Sequence, residues 1–194
     1  MGGVCYRRRE LVEDLSLHIL DIIENSIAAG ATNIEVHIEE RVVENLLIIK
    51  IKDNGKGMDK ETLAKALDPF YTTKKTRSVG LGLSMLAQAS QEANGSFDIK
   101  SKPGEGTDIT AQFEYEHIDR KPLGNMAETI TACLVSLGSQ TDLRYYHCKD
   151  NNEFLFDTKE IRKVLSGVAI NNADIISFLR QHIEKGLNEI AKKE

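Results

Sequence analysis

Apolar residues recur at Leu15, Leu17, Ile19, Leu20, Ile22, Ile23 and Ile27, a helical spacing that predicts a helix over residues 11–29 with Gly30 as its stop. At residue 33 the period changes to two. Ile34, Val36 and Ile38 fall on one side and Glu35, His37 and Glu39 on the other, the pattern of a half-buried strand. Glu44 and Asn45 mark a turn, and LLIIKIKD (46–53) is apolar enough to be a central strand. Asp59 is placed to cap a helix running to about residue 67. A further helix is expected over 83–93, up to Gly95. Strands at 96–101 and 108–115 follow, joined by a turn holding Pro103, Gly104 and Gly106. Helix, two strands, helix, loop, helix, two strands predicts an α+β fold: a sheet with its helices on one face, a two-layer α/β sandwich.

The remainder, residues 119–194, reads as a small C-terminal α+β segment. A helix is expected over 121–137, then a hairpin of 143–148 and 153–157 across KDNN, then helices over 158–165 and 173–191. Asn171, Asn172 and Asp174 are capping candidates for the last helix. The pattern therefore divides the chain into 1–118 and 119–194, with the second unit either a cover for the first or a partner-binding or dimerisation module.

Composition changes this picture little. The chain has 194 residues, of which 41% are apolar, enough for a real core. Its net charge of −5 gives no general field for nucleic acid. Arg7, Arg8 and Arg9 are a local exception, either a solvated helix face or a patch for a phosphate or an acidic partner. Cys5, Cys133 and Cys148 are far apart and form no CxxC, so free thiols and no zinc-type site are expected. MGGVCYRRRE does not read as a signal peptide, and no apolar run approaches the roughly 18 residues of a membrane span. The expectation is a cytoplasmic protein with no membrane partner.

Four short motifs carry the candidate chemistry. On the opening helix, Asp21 and Asn25 lie one turn apart on one face. An amide oxygen from Asn25 suits magnesium, which keeps several waters, and a carboxylate one turn away could activate an attacking group. The same residues also fit the wet face of an amphipathic helix. Next, Asp53 ends the apolar strand and opens DNGKGM, with Gly55, Gly57 and Met58. A carboxylate there can accept from an exocyclic amine, although the same residue types make an ordinary turn. The third motif is DPFYTTK, with Phe70, Thr73 and Lys74. The fourth is GLGLS, in which Gly80, Leu81, Gly82 and Leu83 open a helix whose N-terminus can face phosphates. It is neither a P-loop nor a Rossmann fingerprint.

In this order the motifs resemble the asparagine, first glycine, phenylalanine and second glycine boxes of the GHKL superfamily. That is the ATPase fold of histidine kinases, gyrase, mismatch-repair ATPases and the ATP-dependent heat-shock chaperone. GEGT (104–107) resembles its final glycine box. The resemblance covers residues 10–116 and implies ATP and magnesium as cofactors. It implies that Asn25 holds the metal and Asp53 reads adenine. Gly55, Gly57, Met58, Phe70, Thr73, Lys74, Gly80, Leu81, Gly82 and Leu83 would shape the pocket and a lid over residues 70–82. Thr107 would support the adenine end through its hydroxyl, with water.

The branch is mixed. DPFYTTK followed by VGLGLSM looks like histidine kinases, whereas ENSIAAGATNIEV looks like mismatch-repair ATPases. Two features depart from the kinases. Ala28 stands where they usually have a basic residue, and no phosphoacceptor helix is read ahead of the domain. In gyrase, mismatch-repair and serine-kinase relatives a glutamate general base precedes the asparagine by four; here that position is Asp21, the candidate catalytic residue. His18 lies near the Asn25 face, His37 on a polar strand face, and His117, His147 and His182 in no phosphoacceptor context. Three uses of ATP follow from the resemblance. One is an ATPase or protein kinase acting on a separate regulatory or substrate protein, another an ATP-gated switch, and the third a nucleotide-binding regulator with little turnover. A homodimer is compatible with each.

Overall fold

The computed structural model describes residues 14–68 and 81–192. Helix α1 (Leu15–Ala28) starts where Asp14, in extended conformation, accepts from the Leu17 amide. Leu15, Ile19, Ile22 and Ile23 form its buried stripe. Strands β1 (Asn33–Arg41) and β2 (Leu46–Asp53) make an antiparallel hairpin whose turn places Asn45 at φ 54°, a left-handed conformation that asparagine tolerates. Asp59 caps α2 (Lys60–Ala66) through the Thr62 amide. Helix α3 (Gly82–Glu92) leads into β3 (Ser96–Lys102) and β4 (Gly106–Glu114), and β4 pairs with both β3 and β2.

Residues 119–192 supply α4 (Met126–Ser136), β5 (Asp142–Lys149), β6 (Asn152–Asp157), α5 (Thr158–Leu165) and α6 (Ala173–Lys192). Their hairpin joins the first sheet. Strand β5 runs parallel to β1, with Ile34 opposite Leu143 and Val36 opposite Tyr145, giving one six-stranded sheet ordered β3-β4-β2-β1-β5-β6. The crossover from β4 to β5 carries α4, as a parallel connection requires.

The expected helix over 121–137 begins five residues late, at Met126. Pro122 precedes it, Gly124 sits at φ +85°, and Asn125 takes the cap by accepting from the Glu128 amide. A left-handed residue cannot lie inside an α-helix, so the chain turns first and coils afterwards.

Helix α1 packs on α3, α4 and the sheet. Ile19 and Ile23 join Ile34, Val36, Ile49, Leu86, Phe113, Ile130, Leu143 and Tyr145 in one continuous buried cluster. Each such side chain contributes about 1.5–3 kcal/mol of burial. Because α4 and β5 share the cluster, the C-terminal residues complete the layer that supports α1. No helix among the described residues is long and apolar enough to cross a membrane.

Candidate functional site

Helix α1 runs past the end of β2 and the start of α3, and its polar edge carries Asp21, Asn25 and Ser26. Asp53, the last residue of β2, is buried at 8% exposure. Its Oδ2 accepts from the Ser26 hydroxyl at 2.9 Å and its Oδ1 from the Gly55 amide at 2.8 Å. An ionised carboxylate can accept about four hydrogen bonds, so this one is held in place with acceptor capacity to spare.

Close backbone approaches account for the glycines. A Cβ on Gly55 would lie 3.0 Å from Asp53 Oδ1 and 3.1 Å from Ala29 Cβ. Gly57 has φ +63°, and a Cβ there would lie 1.9 Å from the Lys102 carbonyl. Gly106 has φ +90°, and its Cβ would lie 2.0 Å from the Asp53 carbonyl. The two glycine loops are thus locked against each other, and they set the floor beside Asp53.

Thr107 stands opposite Asp53 in the β2–β4 register. Its hydroxyl lies 3.0 Å from Ser101 Oγ, which also accepts from the Met58 amide and donates to the Gly106 carbonyl, both at 2.9 Å. The single proton of Ser101 goes to that carbonyl, so Thr107 donates to Ser101 and keeps its lone pairs for another donor. Asn54 serves the turn instead of the site: its Oδ1 accepts from the Thr32 and Asn33 amides, at 2.9 and 2.8 Å.

Asp21 Oδ2 accepts from the Gly82 amide at 2.8 Å and from Asn25 Nδ2 at 3.2 Å. A carboxylate only accepts, so Asn25 must turn its amino end toward Asp21, and its carbonyl oxygen points elsewhere. Leu81 lies at the α3 N-cap position, and Leu83 is buried in the core. Glu24 is exposed on another face of α1. Phe70, Thr73, Lys74 and Gly80, together with Arg7, Arg8, Arg9 and Cys5, lie outside the described residues.

The other histidines have packing or network roles. His18 is buried on α1 at 6% exposure, and His37 tilts against the Tyr146 ring at 5.5 Å. His147, from β5, meets Glu40 of the neighbouring β1 at 2.8 Å, while its other ring nitrogen lies 2.8 Å from the Tyr145 hydroxyl. Glu40 also accepts from Tyr115 at 2.9 Å. Burial alone would raise the Glu40 carboxyl, but the hydrogen bonds from His147 and Tyr115 outweigh it and hold the group below its ordinary range. Tyr115 is pushed up to about 12, by burial first and by that bond second. Burial likewise raises the Cys133 thiol to about 12. Glu40 and His147 line a cavity of about 500 Å³ between the start of α4 and the end of α6, at the opposite end of β1 from Asp53.

The sequence pattern of the family described as "Histidine kinase-, DNA gyrase B-, and HSP90-like ATPase" matches residues 10–117, more than half of the chain. The chain belongs to this family. Among curated relatives, a sensor protein of Shewanella frigidimarina is 37% identical over 97 residues, covering 49% of this chain and 15% of that protein. Sensor histidine kinase YvrG of Bacillus subtilis is 30% identical over 98 residues, covering 48% of this chain and 17% of the kinase. Sensor protein kinase WalK of Staphylococcus haemolyticus is 30% identical over 118 residues, with 57% and 19% covered. The match thus spans less than a fifth of each of these relatives. Among solved structures, the MutL ATPase domain of Aquifex aeolicus complexed with ADP aligns at 16% identity and a TM-score of 0.47, over 80% of this chain and 70% of that one.

Within this ATPase-family chain, sequence reasoning missed two residues that organise the site: Ser26, which holds Asp53, and Ser101, which joins the two glycine loops to Thr107. Serine occurs everywhere on protein surfaces. The one available signal was position: Ser26 directly follows Asn25, and Ser101 lies on the strand leading into GEGT.

Proposed function

We propose that this chain is a magnesium-dependent ATP-binding protein of the histidine kinase-like ATPase class. In the first reading it turns ATP over, as an ATPase or as a kinase for a separate protein. The observation that carries the proposal is the clamp on Asp53. Ser26 and Gly55 hold a buried carboxylate at a strand end, one residue along α1 from Asn25 and opposite Thr107. Asp53 would accept from the exocyclic amine of adenine, and Thr107 would take the same end through its lone pairs or a water. A base that presents a carbonyl in place of that amine would meet the carboxylate with repulsion.

Asn25 and Asp21 offer oxygens only, the donor chemistry that suits magnesium. The Asn25 carbonyl oxygen would hold the metal, since its amino end is engaged by Asp21. Magnesium, when bound, would supply positive charge to offset that of the phosphates. Asp21 would orient the attacking group or take its proton through Oδ1, which accepts no hydrogen bond among the described residues.

A second reading, an ATP-gated switch with little turnover, is favoured by the pairing of β5 with β1. Nucleotide bound beside α1 would act on a core shared with residues 119–192, where a regulatory protein or a second copy could read the change. Incubation with γ-labelled ATP and magnesium separates the readings. Free phosphate supports an ATPase, and label on a second protein supports a kinase. Saturable ATP binding with neither product supports the switch. Absence of ATP binding in calorimetry would overturn the proposal as a whole.

A further inference from the structure

Asp21 stands where a general base is expected, yet its Oδ2 already accepts two hydrogen bonds, from the Gly82 amide at 2.8 Å and from Asn25 Nδ2 at 3.2 Å. The contact is close. A Cβ on Gly82 would lie 2.6 Å from that oxygen, 2.8 Å from Asp21 Cβ and 2.9 Å from the His18 carbonyl. The first turn of α3 therefore rests directly on α1, and the Gly82 N–H points at the carboxylate. That N–H is one of the amides a helix start leaves without an intrahelical acceptor, and an anion is its favoured partner. The N-cap residue Leu81 makes no side-chain cap, so Asp21 fills that role from another element.

We propose that Asp21, besides the role given to its Oδ1, is a positioning residue through Oδ2. It fastens the start of α3 to α1 and, through the same oxygen, fixes the orientation of the Asn25 amide. Without it, the Asn25 amide is free to rotate about its terminal torsion, and its two ends are nearly equal in shape. Bonded to the carboxylate, it has one orientation, with the carbonyl oxygen set for a hard cation. The placement of the start of α3 is coupled to the metal ligand by a single atom. This inference rests on the nucleotide reading for the role of Asn25, whereas the link from Asp21 to Gly82 stands on its own.

Two variants separate positioning from base chemistry. Asp21→Asn keeps an acceptor oxygen for the Gly82 amide but cannot take a proton; Asp21→Ala removes both. In nucleotide-free protein, amide exchange at Gly82 followed by NMR should speed up about tenfold or more in Asp21→Ala, as an exposed helix-start amide exchanges freely, and far less in Asp21→Asn. In calorimetry with ATP, measured with magnesium and with EDTA, Asp21→Ala should lose most of the gain that magnesium brings. Its magnesium-free affinity should stay near that of the wild type. Asp21→Asn, which keeps the acceptor oxygen, should retain nearly all of the gain, and Asp21→Ala combined with Asn25→Ala should lose little more than either alone. A fold defect would lower both affinities together and would not show that pattern. Unchanged Gly82 exchange in Asp21→Ala, or a full magnesium gain in that variant, would overturn the proposal. Absence of ATP binding by the wild type would instead remove the nucleotide reading, and the link would then stand or fall on the Gly82 exchange.

Discussion

The Ser26 hydroxyl and the Asp53 carboxylate meet at 2.9 Å across the seam between α1 and the sheet, both buried. Adenine recognition should therefore depend on two residues. Asp53→Asn should weaken ATP binding by about 1.5–3 kcal/mol, the range for losing a hydrogen bond to a charged group, and erase the preference for ATP over GTP. Ser26→Ala should cost about 1 kcal/mol, through lost positioning of Asp53. Titration calorimetry with both nucleotides measures this, and equal affinity for ATP and GTP in the wild type would remove the role given to Asp53.

Turnover should separate three residues of α1. Asn25→Ala should lower magnesium-dependent binding and turnover together. Asp21→Asn should leave ATP affinity nearly unchanged and cut phosphate release by roughly 10²–10⁴-fold, the range for losing general-base catalysis. Glu24→Gln, on an exposed face of the helix, should leave both unchanged. Steady-state phosphate release is the measurement, and a silent Asp21→Asn beside an inactive Glu24→Gln would show that the wrong helix face had been chosen.

Gly106→Ala should be more damaging than an ordinary surface change. It asks a Cβ to sit 2.0 Å from the Asp53 carbonyl at φ +90°. The expected loss is on the order of 2 kcal/mol or more in urea unfolding, together with lost ATP binding, because the two glycine loops must separate. Gly104→Ala is the comparison. It has φ +79° but nothing within 4 Å of its Cβ, so it should cost about 1 kcal/mol and spare the site.

The Glu40–His147 contact makes a pH prediction. The folded Glu40 carboxyl lies below its ordinary value of 4.5, so its contribution is fully present above that value and is lost as pH falls through the folded one. Glu40→Gln should lower stability by on the order of 1–3 kcal/mol at pH 7. The gap should narrow as the pH drops below 4.5, once the wild-type carboxyl is itself protonated. Chemical denaturation at several pH values tests this, and a gap of constant size would sink the assignment.

Much of the first four strands was legible because alternation and glycine are local signals. Ile34, Val36 and Ile38 announce a face, and Asn45 announces its turn. Asp59 was legible as a cap for the same reason. Helical spacing from residue 121 does not reveal the start of α4, which Gly124 and the Asn125 cap on the Glu128 amide set at Met126. The partner of the 142–157 hairpin could not be read at all, since nothing within β5 names β1 as its neighbour. Asp21 was recognised as a polar residue on the Asn25 face, but its bond to Gly82 joins residues 61 apart in sequence, beyond the reach of any periodicity.

The parallel pairing of β1 with β5 has a consequence for the newly made chain. Thr141 reaches back to the Ala31 carbonyl over 110 residues, so β1 gains its second neighbour only after β5 has been synthesised. Until then, one whole side of β1 offers bare backbone groups to any extended segment it meets, including the same strand in another copy. Long-range pairing of this kind is also slow to form. A chain cut near residue 118 would keep every family motif and remain in that state permanently, prone to self-association, so the family-matching residues 10–117 are best prepared with residues 119–192 attached.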